Sequence, residues 1–270
     1  MNNIFVMPLL KREIKSNCKV FLIIAAVASM YISVMVSMFE PGLGEMLAEF
    51  EKAMPGLMSA AGMTNPGTTL QSFLKTYLYG FFMFVLPMIY ELFTANKLVA
   101  GYVDRGSMAS ILSSPHSRRK VIRTQGFFLT ASVCLMIFYI TALGIVCSEM
   151  MFPGDLGIAE FLRLNAGLLC LHVCISGFFF FMSCICNDTR RSTGIGVGVF
   201  LGFYLIQMLS NMGDKLENLK YATVFTLFDG DALLKGQSRA VAMSGILLLI
   251  GILLFELGKY RFQKRDFLNT

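Results

Sequence analysis

The sequence alternates between long apolar blocks and short polar stretches. Six blocks, at about 20–39, 73–95, 126–147, 162–186, 194–212 and 240–258, are long enough to cross a bilayer. A hydrocarbon core about 30 Å thick takes about 20 residues of helix rising 1.5 Å each. Lipid offers no partner for an unpaired peptide group, so each block is expected to be helical. The pattern predicts an all-α, polytopic integral membrane protein with six transmembrane helices, forming one transmembrane domain over residues 1–270.

The stretches between the blocks carry patterns of their own. Residues 4–16 begin apolar (Ile4, Phe5, Val6, Met7, Leu9, Leu10) and finish charged (Lys11, Arg12, Glu13, Lys15). That apolar run is too short to span, which predicts an N-terminal interfacial helix, with a disordered basic tail as the alternative. Within 40–71, Leu43, Met46, Leu47, Phe50, Met54, Leu57 and Met58 fall on one helical stripe, and Pro55 is expected to kink or break it. In 213–239, the run Tyr221, Val224, Phe225, Leu227 and Phe228 ends at Asp229-Gly230. It reads as a re-entrant or surface helix closed by a turn, or as an amphipathic loop. The loop 96–125 predicts a short helix with Met108, Ile111 and Leu112 on one face, Ser107 and Ser110 opposite, and Pro115 ending it. With Arg118, Arg119 and Lys120 just beyond, such a helix suits docking on a cytoplasmic protein or lying on anionic lipid.

Composition sharpens the class. The 270 residues are 56% hydrophobic and 15% charged, whereas a soluble domain carries about a quarter charged residues. The net charge of +6 would suit nucleic acid if it formed one patch. Instead, placing the N-terminus in the cytoplasm puts 16 of the 23 Lys and Arg residues on inner segments, and 11 of the 17 acidic residues outside. The positive-inside rule therefore puts both termini in the cytoplasm. No signal-peptide pattern precedes the first block, so that span is expected to remain in the mature protein.

Candidate chemistry is sparse. Seven cysteines, mostly inside apolar blocks, read as reduced packing residues. Cys170, His172 and Cys174 resemble a metal cluster in one dimension, but on a helix His172 points away from the other two, so no metal is expected. Glu256 has Lys259 three residues on for a local ion pair. Glu91 has no close sequence partner, leaving a cross-span pair with the basic loop or a proton-coupling role. Pro87, one turn earlier, is expected to kink span two. Arg190 and Arg191 read as topology anchors, and His116 as solvated. Gly194, Gly198 and Gly202 repeat every four residues, which allows close helix packing within the subunit or across a dimer. No Gly-x-x-x-x-Gly-Lys-[Ser/Thr] sequence is present, so the chain is not expected to bind ATP itself. A membrane-embedded enzyme would need paired carboxylates, a Ser/His pair or a metal triad at membrane depth, and none is evident. An ion-gradient-driven transporter would favour midplane polar groups and broken helices, which are not clear from the sequence.

The loop carries a resemblance. Asn96-Lys97-Leu98-Val99-Ala100-Gly101, then Asp104-Arg105-Gly106-Ser107-Met108, Leu112-Ser113-Ser114-Pro115 and Arg118-Arg119-Lys120, resembles the loop between spans two and three of permease subunits of type-2 membrane ABC exporters. Members often read Ala-Gly-Glu-x-x-Arg-Gly-Thr there; this chain has Tyr102 in place of the Glu and Ser107 in place of the Thr. Phe225-Thr226-Leu227-Phe228-Asp229 and the tail Tyr260-Arg261-Phe262-Gln263-Lys264-Arg265-Asp266 are also similar to family segments, so the likeness covers essentially the whole chain. The resemblance implies a non-enzymatic permease in a bacterial plasma membrane, paired with a second permease subunit and with cytoplasmic ATPase subunits that bind ATP and Mg. It implies export of an amphiphilic substrate such as a peptide, antibiotic, lipid or drug. Coupling to the ATPase would fall to the 96–125 loop, through Asp104, Arg105, Met108, Ile111, Leu112, Arg118 and Arg119, together with the N-terminal helix.

Overall fold

The computed structural model describes residues 5–40, 54, 69–113, 115–211 and 217–265. The stripe expected within 40–71 falls almost wholly outside them. All regular structure among the described residues is helical, and six helices are long and apolar enough to cross a membrane.

Span one is the helix Met7–Ser37. Residues 7–16 are not a separate interfacial helix but the first turns of this same helix. Pro8 lies in the opening turn, where a missing N–H costs nothing, and no Gly or later Pro interrupts the run. Its 31 residues reach about 46 Å, longer than a hydrocarbon core of about 30 Å requires.

Span two is a half-helix Leu70–Tyr79 followed by Phe82–Leu98. The connecting loop holds two short helices, Ala100–Asp104 and Ser107–Leu112, ahead of span three, Arg118–Met151. Span four is Ile158–Ile185, span five Thr189–Asn211 and span six Ser238–Lys264. Between spans five and six, where a helix or an amphipathic loop is expected, the chain forms two 3-10 turns, Glu217–Ala222 and Val224–Leu227, and a short helix Gly230–Leu234. Asp229-Gly230 opens that helix rather than closing one, because the Asp229 side chain accepts from the Ala232 N–H at 3.0 Å.

Span four is the spine of the bundle. Of its apolar window 67% is buried within the chain, against 17% for span five. It meets span six backbone to backbone: a methyl on Gly177 would sit 2.7 Å from the Gly251 carbonyl oxygen, and one on Gly251 2.7 Å from that of Val173. Small residues permit this approach in lipid, where dispersion between close backbones replaces the hydrophobic effect as the driving force. Span five packs through Phe200, whose ring lies 5.4 Å from Phe178, 5.1 Å from Phe179 and 6.3 Å from Phe225. The same Phe225 ring meets Phe84 of span two at 5.4 Å.

Candidate functional site

Span two is where the helical regularity fails, and it fails in three places. The first break is at Gly80 and Phe81, the second is the missing N–H of Pro87, and the third is Val99, whose φ of −128° and ψ of −69° end the helix. Each break frees backbone groups within the span, and at each a side chain takes up a lost hydrogen bond. At the first, the Tyr31 hydroxyl of span one donates to the Tyr77 carbonyl at 3.2 Å, and nearby the Tyr79 hydroxyl donates to Asn165 Oδ1 of span four at 2.8 Å. At the second, the Met83 carbonyl would have received the N–H of residue 87; His172 Nε2 of span four occupies it at 2.8 Å. At the third, Ser183 Oγ of span four donates to the Ala95 carbonyl and accepts from the Ala100 N–H, both at 2.9 Å.

His172 makes a second contact, from Nδ1 to Glu91 Oε1 at 2.9 Å, and both side chains are wholly buried. The partner expected for Glu91 in the basic loop is thus replaced by a residue 81 positions away on span four. His172, expected to stand apart from Cys170 and Cys174, makes its polar contacts with span two. Glu256 pairs with Lys259 at 2.5 Å, as their spacing indicated.

Beyond Val99 the chain enters the connecting loop. Its anchor is Tyr102, which is buried and whose hydroxyl donates to Glu13 Oε1 of span one at 2.6 Å. Glu13 is fully buried; Gln125 Nε2 of span three donates to the same oxygen at 3.2 Å, and Asn17 Nδ2 donates to Oε2 at 3.4 Å. The guanidinium carbons of Arg12 and Arg105 lie 5.3 and 5.8 Å from the Tyr102 ring centre, within cation–π range. Lys97 Nζ donates to the Ser16 carbonyl at 2.6 Å. One buried carboxylate therefore ties span one, the loop and span three together. Gly106, at φ +67°, supplies the left-handed residue that turns the chain into Ser107–Leu112.

The apolar face of that helix looks inward, not towards a partner. Met108 is 2% exposed in the main core, and Ile111 and Leu112 pack on Val6, Leu9 and Val121. Asp104, Arg105, Ala109, Ser110, Ser113 and Arg119 are exposed instead. Arg118 is half-buried, and its Nη1 donates to the Arg265 carbonyl at 2.9 Å. Arg265 in turn donates to the carbonyls of Cys184 and Cys186 at 3.0 and 2.9 Å, fixing the turn between spans four and five. Burial pushes the Cys186 thiol above its ordinary range, which suits a packing role.

Two further features complete the geometry. Gly194, Gly198 and Gly202 face open space, with no atom within 4 Å of an added Cβ, whereas Gly196 faces Phe179 and Leu92. The stripe therefore does not pack within the described part of this subunit. At the end of the bundle away from Tyr102, a cavity of about 740 Å³ is lined by Tyr79, Phe84, Tyr204, Gln207 and Phe225, with the Lys75–Asp231 ion pair beside them at 2.5 Å.

The residues that seal span two were poorly visible in the sequence. Glu91 and Pro87 stand out, but Glu13, Ser183 and Tyr31 look ordinary there, and His172 is notable only as a metal candidate. The available signal was an ionisable residue within each of two apolar blocks. Compared with known proteins, residues 7–267 match the family model described as an ABC-2 family transporter protein. No curated protein matches the chain.

Proposed function

This chain belongs to the ABC-2 family of transporter proteins, and on that premise we propose that it is the permease subunit of an exporter driven by separate ATPase subunits. The end that holds Glu13 and Tyr102 is cytoplasmic, in keeping with its basic residues. There the loop receives the ATPase through its exposed face: Asp104, Arg105, Ala109, Ser110, Ser113 and Arg119. Met108, Ile111 and Leu112 serve coupling from beneath, by joining that face to the first turns of span one and to span three.

The observation that carries this reading is the continuity between the loop and the broken span. Tyr102 is bonded to Glu13, and two residues before it Ala100 is bonded to Ser183 at the third break. A push on the loop therefore reaches a point where span two is already interrupted. Nucleotide and Mg²⁺ belong to the ATPase, since the chain lacks a phosphate-cradling loop. The outward glycine stripe of span five supports pairing with a second permease subunit. The size and mixed aromatic and polar lining of the 740 Å³ cavity suit an amphiphilic substrate.

The test is co-expression with a candidate ABC ATPase. The two should co-purify about one to one, and Ala109→Arg with Ser110→Arg should abolish stimulation of ATP hydrolysis without reducing membrane insertion. Intact stimulation in that variant refutes the docking face. A second reading, transport driven by an ion gradient, draws on the broken span and the buried Glu91–His172 pair. Substrate movement by the chain alone in liposomes, without ATP, would select it.

A further inference from the structure

The Glu91–His172 contact fixes how many protons the pair holds. A carbonyl oxygen only accepts, so the 2.8 Å contact to Met83 requires a proton on His172 Nε2. The 2.9 Å contact between Nδ1 and Glu91 Oε1 then requires one more proton between those atoms. Without it, a carboxylate would face the lone pair of a neutral imidazole. With one proton the pair is net neutral, whichever partner carries it, which is the state a dry site tolerates. Glu91 Oε2 has no hydrogen-bond partner among the described residues. An orphan oxygen costs less on a protonated carboxyl than on a carboxylate, which argues for the proton on the Glu91 side.

The same imidazole caps the carbonyl that Pro87 leaves open. Removing the shared proton would set Glu91 against Nδ1 and push the ring off Met83. We propose that Glu91 and His172 form a buried one-proton site, and that the bound proton holds the Pro87 turn of span two against span four. The site stands apart from the exporter reading, because nothing in it depends on an ATPase.

Other ionisable groups around the pair are few. Tyr90 of span two and Cys174 of span four lie near Glu91, and Cys18 of span one lies near Tyr90. Span one adds Lys19, one residue beyond Cys18, and span three presents the hydroxyl of Ser132 beside Tyr90. Cys134, Tyr139 and Cys147 are the ionisable residues in the remainder of span three before Glu149. Span five carries Arg190, Arg191 and Tyr204, and span six has none between Arg239 and Glu256.

The test uses the purified full chain in detergent, comparing wild type with Glu91→Gln. Glutamine keeps the shape and offers an N–H to Nδ1, so the variant is expected to fold. In the unfolded chain above about pH 7.5, a carboxyl of ordinary pKa about 4.3 and an imidazole of about 6.5 hold no shared proton. The native pair holds one more, so its folding constant falls about tenfold for each pH unit of rise. Glu91→Gln lacks this term, while titration of the neighbouring Cys and Tyr residues is common to both proteins and cancels. The expected result is a wild-type folding constant that declines more steeply with pH, by about one proton. Parallel pH profiles overturn the proposal. The cap is tested by His172→Leu in two backgrounds. Pro87→Ala restores an N–H for Met83, so the loss caused by His172→Leu should shrink in its presence. An equal loss in both backgrounds, or a failure to fold only when Pro87 is already replaced, overturns the capping role.

Discussion

Tyr102→Phe removes one oxygen atom and isolates the anchor of the connecting loop. The ring stays, and with it the packing against Arg12 and Arg105. What is lost is the 2.6 Å hydrogen bond to Glu13, the shortest of the three that its fully buried carboxyl receives. A hydrogen bond to a charged group contributes about 1.5–3 kcal/mol, and a buried acceptor left short of a donor costs a similar amount. Tyr102→Phe should therefore destabilise the protein by about 2–3 kcal/mol. Glu13→Gln supplies a neutral acceptor, for which the bond is worth about 0.5–1.5 kcal/mol, so the same substitution should cost less in that background. The chain has no Trp but has seven Cys, of which Cys174, Cys184 and Cys186 are buried. A thiol-reactive fluorescent dye is thus the natural reporter of melting in detergent. A Tyr102→Phe melting curve that overlays wild type, or a loss unchanged by Glu13→Gln, refutes the reasoning.

Other substitutions probe the remaining joints. Ser183→Ala strips the Ala95 carbonyl and the Ala100 N–H of their shared partner, and should cost about 2–4 kcal/mol in the same melting assay. Gly251→Val forces side-chain atoms into the Val173 carbonyl; spans four and six should separate, seen as a sharp fall in the yield of monodisperse protein. Phe200→Ala empties the ring site that holds span five, with an expected loss of about 3–5 kcal/mol and faster proteolysis at the turn around Phe225. Gly198→Leu sets its Cβ where no atom of the described residues lies within 4 Å, so the isolated subunit should be as stable as wild type, while the proposed pairing of subunits, read by cross-linking in membranes, should weaken.

The sequence made the six spans legible because each is a block that only lipid or a helix-lined core would accept. Its edges were less visible. Span one extends back to Met7 because nothing between Met7 and Ser37 stops a helix, and hydropathy alone cannot distinguish apolar turns from their charged continuation. Pro87 announced a defect in span two, but the break at Val99 has no local cause; it is stabilised by Ser183, 84 positions later. Glu91 was visible as an oddity, and its partner was not, because periodicity fixes which residues share a face but not which neighbouring helix that face meets. Met108 shows the same limit. Its stripe with Ile111 and Leu112 is apolar, as the sequence indicates, yet the surface that covers it belongs to this chain.

Span two is interrupted at Gly80–Phe81 and at Val99 and lacks one N–H at Pro87, and each opening is met by a different side chain. Opening the seal at Ser183 loosens the joint between Phe82–Leu98 and the loop without touching Met83, whereas opening the one at Tyr31 leaves Leu70–Tyr79 still held by Tyr79 to Asn165 and by Lys75 to Asp231. Each rigid piece transmits, and each seal decides whether its neighbour follows. An inhibitor wedged at one seal would therefore freeze a single joint and leave the rest of the rod articulated.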